Sequence, residues 1–142
     1  MSRRVLSLLL GFAVVLSLAA CGDGQTAGDA GGGGEPGAPP AADIGDPALG
    51  EELFRTGGAS GTACNTCHTL DGTELVGPSL QGISERAADR VPGLTAAEYI
   101  HQSIVDPGAY INEGYENLMP DIYEDALAEQ EINALVAFLL TQ

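Results

Sequence analysis

The chain contains no lysine and no tryptophan, and its five cationic side chains are all arginine. Twenty Asp and Glu residues oppose them, giving a net charge of −15 over 142 residues. Such a surface repels phosphate, which excludes nucleic-acid binding and adhesion to anionic lipid through a basic patch. Aromatic residues make up only 5% of the sequence, little for a domain that must build its core unaided. Alternating apolar and polar residues, the mark of a half-buried strand, do not occur, and neither does an internal repeat. Cysteine occurs three times, and all three positions find a use that leaves no thiol for a disulfide. The surplus of acid has two readings, a solubilising surface or a docking face for a partner with a basic or apolar surface, and both stay open at this point.

What is present divides into three segments. Arg3 and Arg4 form a basic start, and Val5 to Leu18 is an apolar run too short to span a membrane comfortably. Leu18-Ala19-Ala20-Cys21 resembles the lipobox of bacterial lipoproteins, and the resemblance implies cleavage before Cys21 and a lipid on its sulfur. The plainer alternative is an ordinary signal peptide followed by a stray cysteine. Ser2-Arg3-Arg4 does not establish twin-arginine export, because paired arginines are common in such starts. Residues 1–20 therefore read as a lipoprotein signal peptide. Two of the five arginines and none of the twenty acids lie in it, so its removal leaves a net charge of −17. Residues 21–45 read as a lipid-anchored, disordered tether, with four consecutive glycines from Gly31 and then Pro36, Pro39 and Pro40. A flexible coil of that length spans roughly 25–30 Å on average.

Residues 46–142 read as a small all-α domain. Asp46-Pro47 is an N-cap followed by proline at the first helical position. Gly50, Leu53 and Phe54 share one face, and Gly57-Gly58 stops the helix. Leu70 to Gly82 holds too many turn residues for regular structure, and a short helix is expected around Ile83 to Asp89. Thr95 and Glu98 form a capping box that opens a helix ending before Pro107. Asp106 to Glu124 reads as one long loop around Met119-Pro120. In the last helix Ile132, Leu135, Val136, Leu139 and Leu140 repeat at i, i+3, i+4, i+7 and i+8.

The chemistry is concentrated in Cys64-Asn65-Thr66-Cys67-His68. Two thiols three residues apart, followed at once by histidine, are the attachment signature of a c-type haem. On one turn both sulfurs reach the vinyl groups of one porphyrin, and the histidine faces the iron. A structural zinc site would want four N/S ligands, and only His101 remains to join these. A thiol oxidoreductase would want a βαβ setting, which the sequence does not provide. Iron held by His68 has a second axial position, for which Met and His are the usual ligands. Met119 is the one methionine outside the leader, and His101 is the rival.

With these residues together, the segment from about Asp46 to Gln142 resembles the class I monohaem cytochromes c. Cys64, Cys67 and His68 match that family's attachment motif, and Met119 before Pro120 matches its distal ligand. Gly77-Pro78-Ser79-Leu80 looks like the segment whose proline carbonyl receives a hydrogen bond from the ligand histidine. Gly50 and Phe54, with Leu135 and Phe138, match the pair of helices that cross in the family. Arg86 and Arg90 stand where members often hold haem propionates. One departure is Ala128, where a Ser or Thr cap is common, and the missing cap costs about 1 kcal/mol. Tyr99 to Leu140, with Ile104-Val105-Asp106-Pro107 and Gly114-Tyr115, is most similar to cytochrome c domains of bacterial respiratory oxidase and quinol-oxidising complexes.

The resemblance implies a small cytochrome c fold of four or five short helices around one covalent haem c. It implies one-electron transfer in a respiratory or photosynthetic chain rather than catalysis. The protein is then exported, lipid-anchored on the outer face of the bacterial cytoplasmic membrane, and served by redox protein partners in that membrane. The competing function is a haem peroxidase or small-molecule reductase with a labile sixth ligand.

Overall fold

The computed structural model describes residues 44–142. The leader, Cys21 and the tether up to Asp43 lie outside these residues. Within them the fold is all-α, with no strand and with three single-turn 3-10 segments between five α-helices. The helices are α1 (Pro47–Thr56), α2 (Ile83–Arg86), α3 (Ala96–Val105), α4 (Tyr123–Ala126) and α5 (Glu129–Leu139).

Each long helix starts and stops for a local reason. Asp46 caps α1 by accepting from Ala48 N at 2.9 Å. At its end Gly57 takes φ +77° and returns its N–H to Leu53 O at 2.7 Å, a turn that disfavours a side chain. At α3 the reciprocal cap forms, with Glu98 N on Thr95 Oγ1 at 3.3 Å and Thr95 N on Glu98 Oε2 at 2.8 Å. Ala128 begins α5 without a side-chain acceptor, yet half of the missing box survives: its N–H donates to Glu131 Oε2 at 2.8 Å. Glu129 and Glu131 also place negative charge at the positive end of the helix.

The core is a crossing of α1 and α5, with α3 against the other side of α5. Ile132, Leu135 and Val136 of α5 are at most 2% exposed, each contributing about 1.5–3 kcal/mol relative to exposure. Gly50 makes the crossing possible. A Cβ there would strike the Ala134 carbonyl oxygen and lie 2.7 Å from Phe138 Cβ. Phe54 completes the contact by packing on Phe138, ring centroids 5.6 Å apart. Leu135, grouped with Phe138 by the sequence, belongs to the same core cluster and also lines the interior cleft with Leu139.

Two boundaries differ from expectation. The packed domain begins before Asp46: Ile44 is half-buried against the core, and Gly45 lies so close to the Asn133–Ala134 backbone that a Cβ would fall 2.6–2.8 Å from it. The long loop ends at Ile122, because Tyr123–Ala126 closes into α4. Four residues are too few to show a helical period. Tyr123, 3% exposed, anchors that turn.

Candidate cofactor site

Between the α3–α5 face and the segment after Cys67 lies a cleft that opens to solvent at its mouth. Its walls are mainly apolar, from Phe54, Ile83, Ile104, Leu135 and Leu139. Set into those walls are Cys64, Cys67, His68, Pro78 and Met119. The fold thus assembles donors from two regions far apart in the chain around one apolar space.

The attachment turn is built locally. Cys64–Thr66 is a single 3-10 turn, with the Cys67 and His68 N–H groups both bonded to Cys64 O, at 3.1 and 2.9 Å. Tyr123 fixes its entry by donating its hydroxyl to Thr62 O at 3.2 Å. Burial, reinforced by the two neighbouring cysteines, pushes that hydroxyl up to about 12, so it remains a donor. This tie is invisible in the sequence, since nothing local relates Tyr123 to Thr62.

His68 is oriented from behind. Its Nδ1 lies 2.8 Å from Pro78 O. A carbonyl can only accept, so Nδ1 carries the proton and Nε2 keeps its lone pair for a metal. Burial holds the imidazole below its ordinary range, against a weaker opposing effect of the Pro78 bond, and so favours the neutral ligand form. Gly77 stands directly against the ring: a Cβ there would strike Cε1 and fall 2.8 and 2.9 Å from Nδ1 and Nε2. Glycine at 77 is required by this contact.

The Gly77–Pro78 segment is itself braced. Gly77 N donates to Cys67 O at 3.0 Å and Leu80 N to Thr69 O at 2.7 Å. Ser79 Oγ accepts from Gly72 N at 3.0 Å and from Thr69 Oγ1 at 3.1 Å. Arg86 lines the cleft, with its guanidinium donating to Ser79 O at 2.5 Å and to Gln81 O. Arg90 lines the cleft as well. His101 does not line it. It sits on another face of α3, with Nε2 3.4 Å from Glu129 Oε1.

The donor set discriminates among the chemistries left open by the pentapeptide. Burial pushes the Cys64 thiol up to about 11, opposite to the lowered value of a thiol–disulfide catalyst. Among the described residues no group of three or more His, Cys, Asp or Glu is placed to hold a metal ion. What the cleft does offer is one imidazole nitrogen, one thioether and two thiols around apolar walls. Those residues fit a flat, apolar, iron-bearing macrocycle attached through its edge. The sequence model of the family described as Cytochrome c matches residues 47–142, two-thirds of the chain. The protein belongs to the cytochrome c family. A comparison with curated proteins finds no match.

As a cytochrome c it carries covalently attached haem c, and its general function is haem-based electron transfer. When bound, the haem supplies a one-electron iron couple. The chain supplies the rest: apolar walls that exclude water, a neutral imidazole held in one orientation, and sulfur chemistry for attachment.

Proposed function

We propose that this cytochrome c is a one-electron carrier of a respiratory or photosynthetic chain, with His68 and Met119 as axial ligands and Cys64 and Cys67 as thioether links. The observation that carries this reading is the shared cleft: His68, with Nδ1 committed to Pro78 O, and Met119 line the same apolar space, whereas His101 does not. A Met ligand raises the potential and fills the sixth position, which favours electron transfer over a peroxidase or reductase needing an open site. In this reading Pro78 orients the ligand histidine, and Arg86 and Arg90 are the cations available to haem propionates.

The domain is tethered to the outer face of the membrane through lipid on Cys21 and meets redox protein partners there. Exposed large apolar residues support a partner face at the mouth of the cleft. Val76, Ile111 and Leu118 are 58%, 44% and 60% exposed, and all three line the opening. Exposed Glu74, Glu113 and Glu116 neighbour them in the chain. Arg55 is paired with Glu51 at 2.6 Å on α1, and Arg86 is bound to backbone carbonyls. A partner suited to this face has an apolar centre and a basic fringe.

Reduced-state absorption spectra with and without carbon monoxide test the function. A carrier keeps its spectrum, and carbon monoxide binding at once to the reduced wild-type protein refutes the closed sixth position. Cys21→Ser is expected to move the protein from washed membranes to the soluble fraction with its spectrum unchanged; a variant still membrane-bound after verified leader cleavage refutes the lipid anchor.

A further inference from the structure

The loop that carries Met119 is joined to the rest of the domain by few polar contacts. From Pro107 to Ile122 its backbone hydrogen bonds are local: Ala109 N to Asp106 O, Tyr115 N to Asn112 O, Leu118 N to Glu116 O and, at its end, Ala126 N of α4 to Ile122 O. Among the described residues, two side-chain hydrogen bonds tie it to other elements. Asn112 Nδ2 donates to Tyr99 Oη on α3 at 3.3 Å. Tyr115 Oη donates to Glu74 Oε1 at 2.9 Å, linking residues 41 apart in the chain.

The two ends of the Tyr115–Glu74 bond differ in firmness. Glu74 belongs to the braced segment between Thr69 and Leu80. Besides the bonds of Gly77, Leu80 and Ser79, Thr73 N donates to Asp71 Oδ1 at 2.9 Å. That segment is fastened to the turn that holds Cys67 and His68. Tyr115 stands four residues before Met119, in the loop with only local backbone bonds. Tyr110 packs edge-on against Tyr99, ring centroids 5.9 Å apart, so apolar contact also seats the loop. The Tyr115–Glu74 bond therefore fastens an element with few polar ties to a firmly braced one, from the distal side of the cleft to the proximal side.

We propose that Tyr115 is a positioning residue whose hydroxyl, latched to Glu74, holds the 107–122 loop in place and sets how readily Met119 yields the iron to an external ligand. This rests on the reading of Met119 as axial ligand. An external ligand must compete with the closed loop, so its apparent affinity scales with the fraction of molecules in which the loop is open. A carboxylate acceptor strengthens the phenol's hydrogen bond. The same bond raises the Tyr115 hydroxyl above its ordinary range, so the donor keeps its proton. Exposure to water keeps the effect moderate.

The test uses the full-length holoprotein and two readouts. Imidazole titration of the oxidised form, followed at the sulfur-to-iron charge-transfer band, reads competition for the sixth position. Amide hydrogen exchange reads opening of the 107–122 loop. Tyr115→Phe is expected to bind imidazole roughly three- to tenfold more tightly, with faster exchange in that loop and unchanged exchange in α1 and α5. Glu74→Ala should match it, the double variant should go no further, and Glu74→Gln, which keeps a carbonyl acceptor, should retain most of the wild-type behaviour. Unchanged imidazole affinity in Tyr115→Phe, or additive effects in the double variant, overturns the latch. Met119→Ala separates the two readings. If it abolishes the band while Tyr115→Phe is inert, the latch alone fails; if the band survives, the ligand reading fails and the latch with it.

Discussion

Gly77→Ala is the substitution that most directly tests how the chain tunes His68, the proposed iron ligand. Gly77 does not adopt a positive φ, so alanine is acceptable to the backbone and the perturbation is steric. The new Cβ would strike His68 Cε1 and sit 2.8 Å from Nδ1 and 2.9 Å from Nε2, tighter than real Cβ contacts. Either the ring or the Gly77–Pro78 backbone must retreat, and the 2.8 Å bond from Nδ1 to Pro78 O stretches in both cases. Overpacking of this kind costs about 1–3 kcal/mol of stability. A weakened bond from Nδ1 to Pro78 O would make the imidazole a poorer donor to iron, which favours the oxidised state less and raises the reduction potential. If the bond loses about 0.5–1.5 kcal/mol in the oxidised form relative to the reduced, a one-electron couple moves by roughly 20–65 mV. A spectroelectrochemical titration reads the potential, and guanidinium denaturation reads the stability. Gly61→Ala is the control: φ there is +68° and no atom lies within 4 Å of the added Cβ, so stability should fall through backbone strain while the potential stays fixed. A Gly77→Ala protein with wild-type potential and wild-type stability would refute the argument.

Three other outcomes are expected. Gly50→Ala should destabilise the domain by about 1–3 kcal/mol or more, because the backbone carbonyl of Ala134 cannot yield as a flexible side chain would; an unchanged denaturation midpoint would contradict the close helix crossing. Tyr123, pushed up to about 12 in the fold, titrates near 10 in the unfolded chain, so folded stability should decline as pH rises above about 10. Thioether formation at Cys64 and Cys67, as proposed, would remove both thiols from its surroundings and leave burial as the cause, and a Tyr123→Phe variant with the same alkaline stability profile would remove tyrosine from the account. Finally, if Met119 is the axial ligand as proposed, the absence of lysine means that no lysine amine can replace it on the iron at high pH. Alkaline titration of the oxidised protein, with magnetic resonance to identify the ligands, should find methionine or hydroxide there, and a lysine-like amine ligand would sink this reasoning.

The sequence by itself determined the elements whose causes are local. The Asp46-Pro47 start, the Thr95–Glu98 box, the Gly57 stop and the apolar repeat of α5 are each decided within about a turn of helix, and each stands where its residues require. The attachment pentapeptide is local too, because two thioethers and an imidazole from one turn need no distant partner. Four-residue α4 carried too short a signal to be seen, and Ile44 and Gly45, set in a Gly/Pro-rich stretch, gave no hint that α5 would receive them. Only the tertiary structure decided the features that join distant segments. It took Met119 to the cleft of His68 and left His101 beside Glu129, a choice that periodicity cannot make for one residue in a loop and one on a helix. It also tied Tyr123 to Thr62 across 61 residues and Tyr115 to Glu74 across 41. Hydrogen bonds of that reach depend on where the packing of α1, α3 and α5 leaves the loops between them, and nothing in the neighbouring residues encodes it.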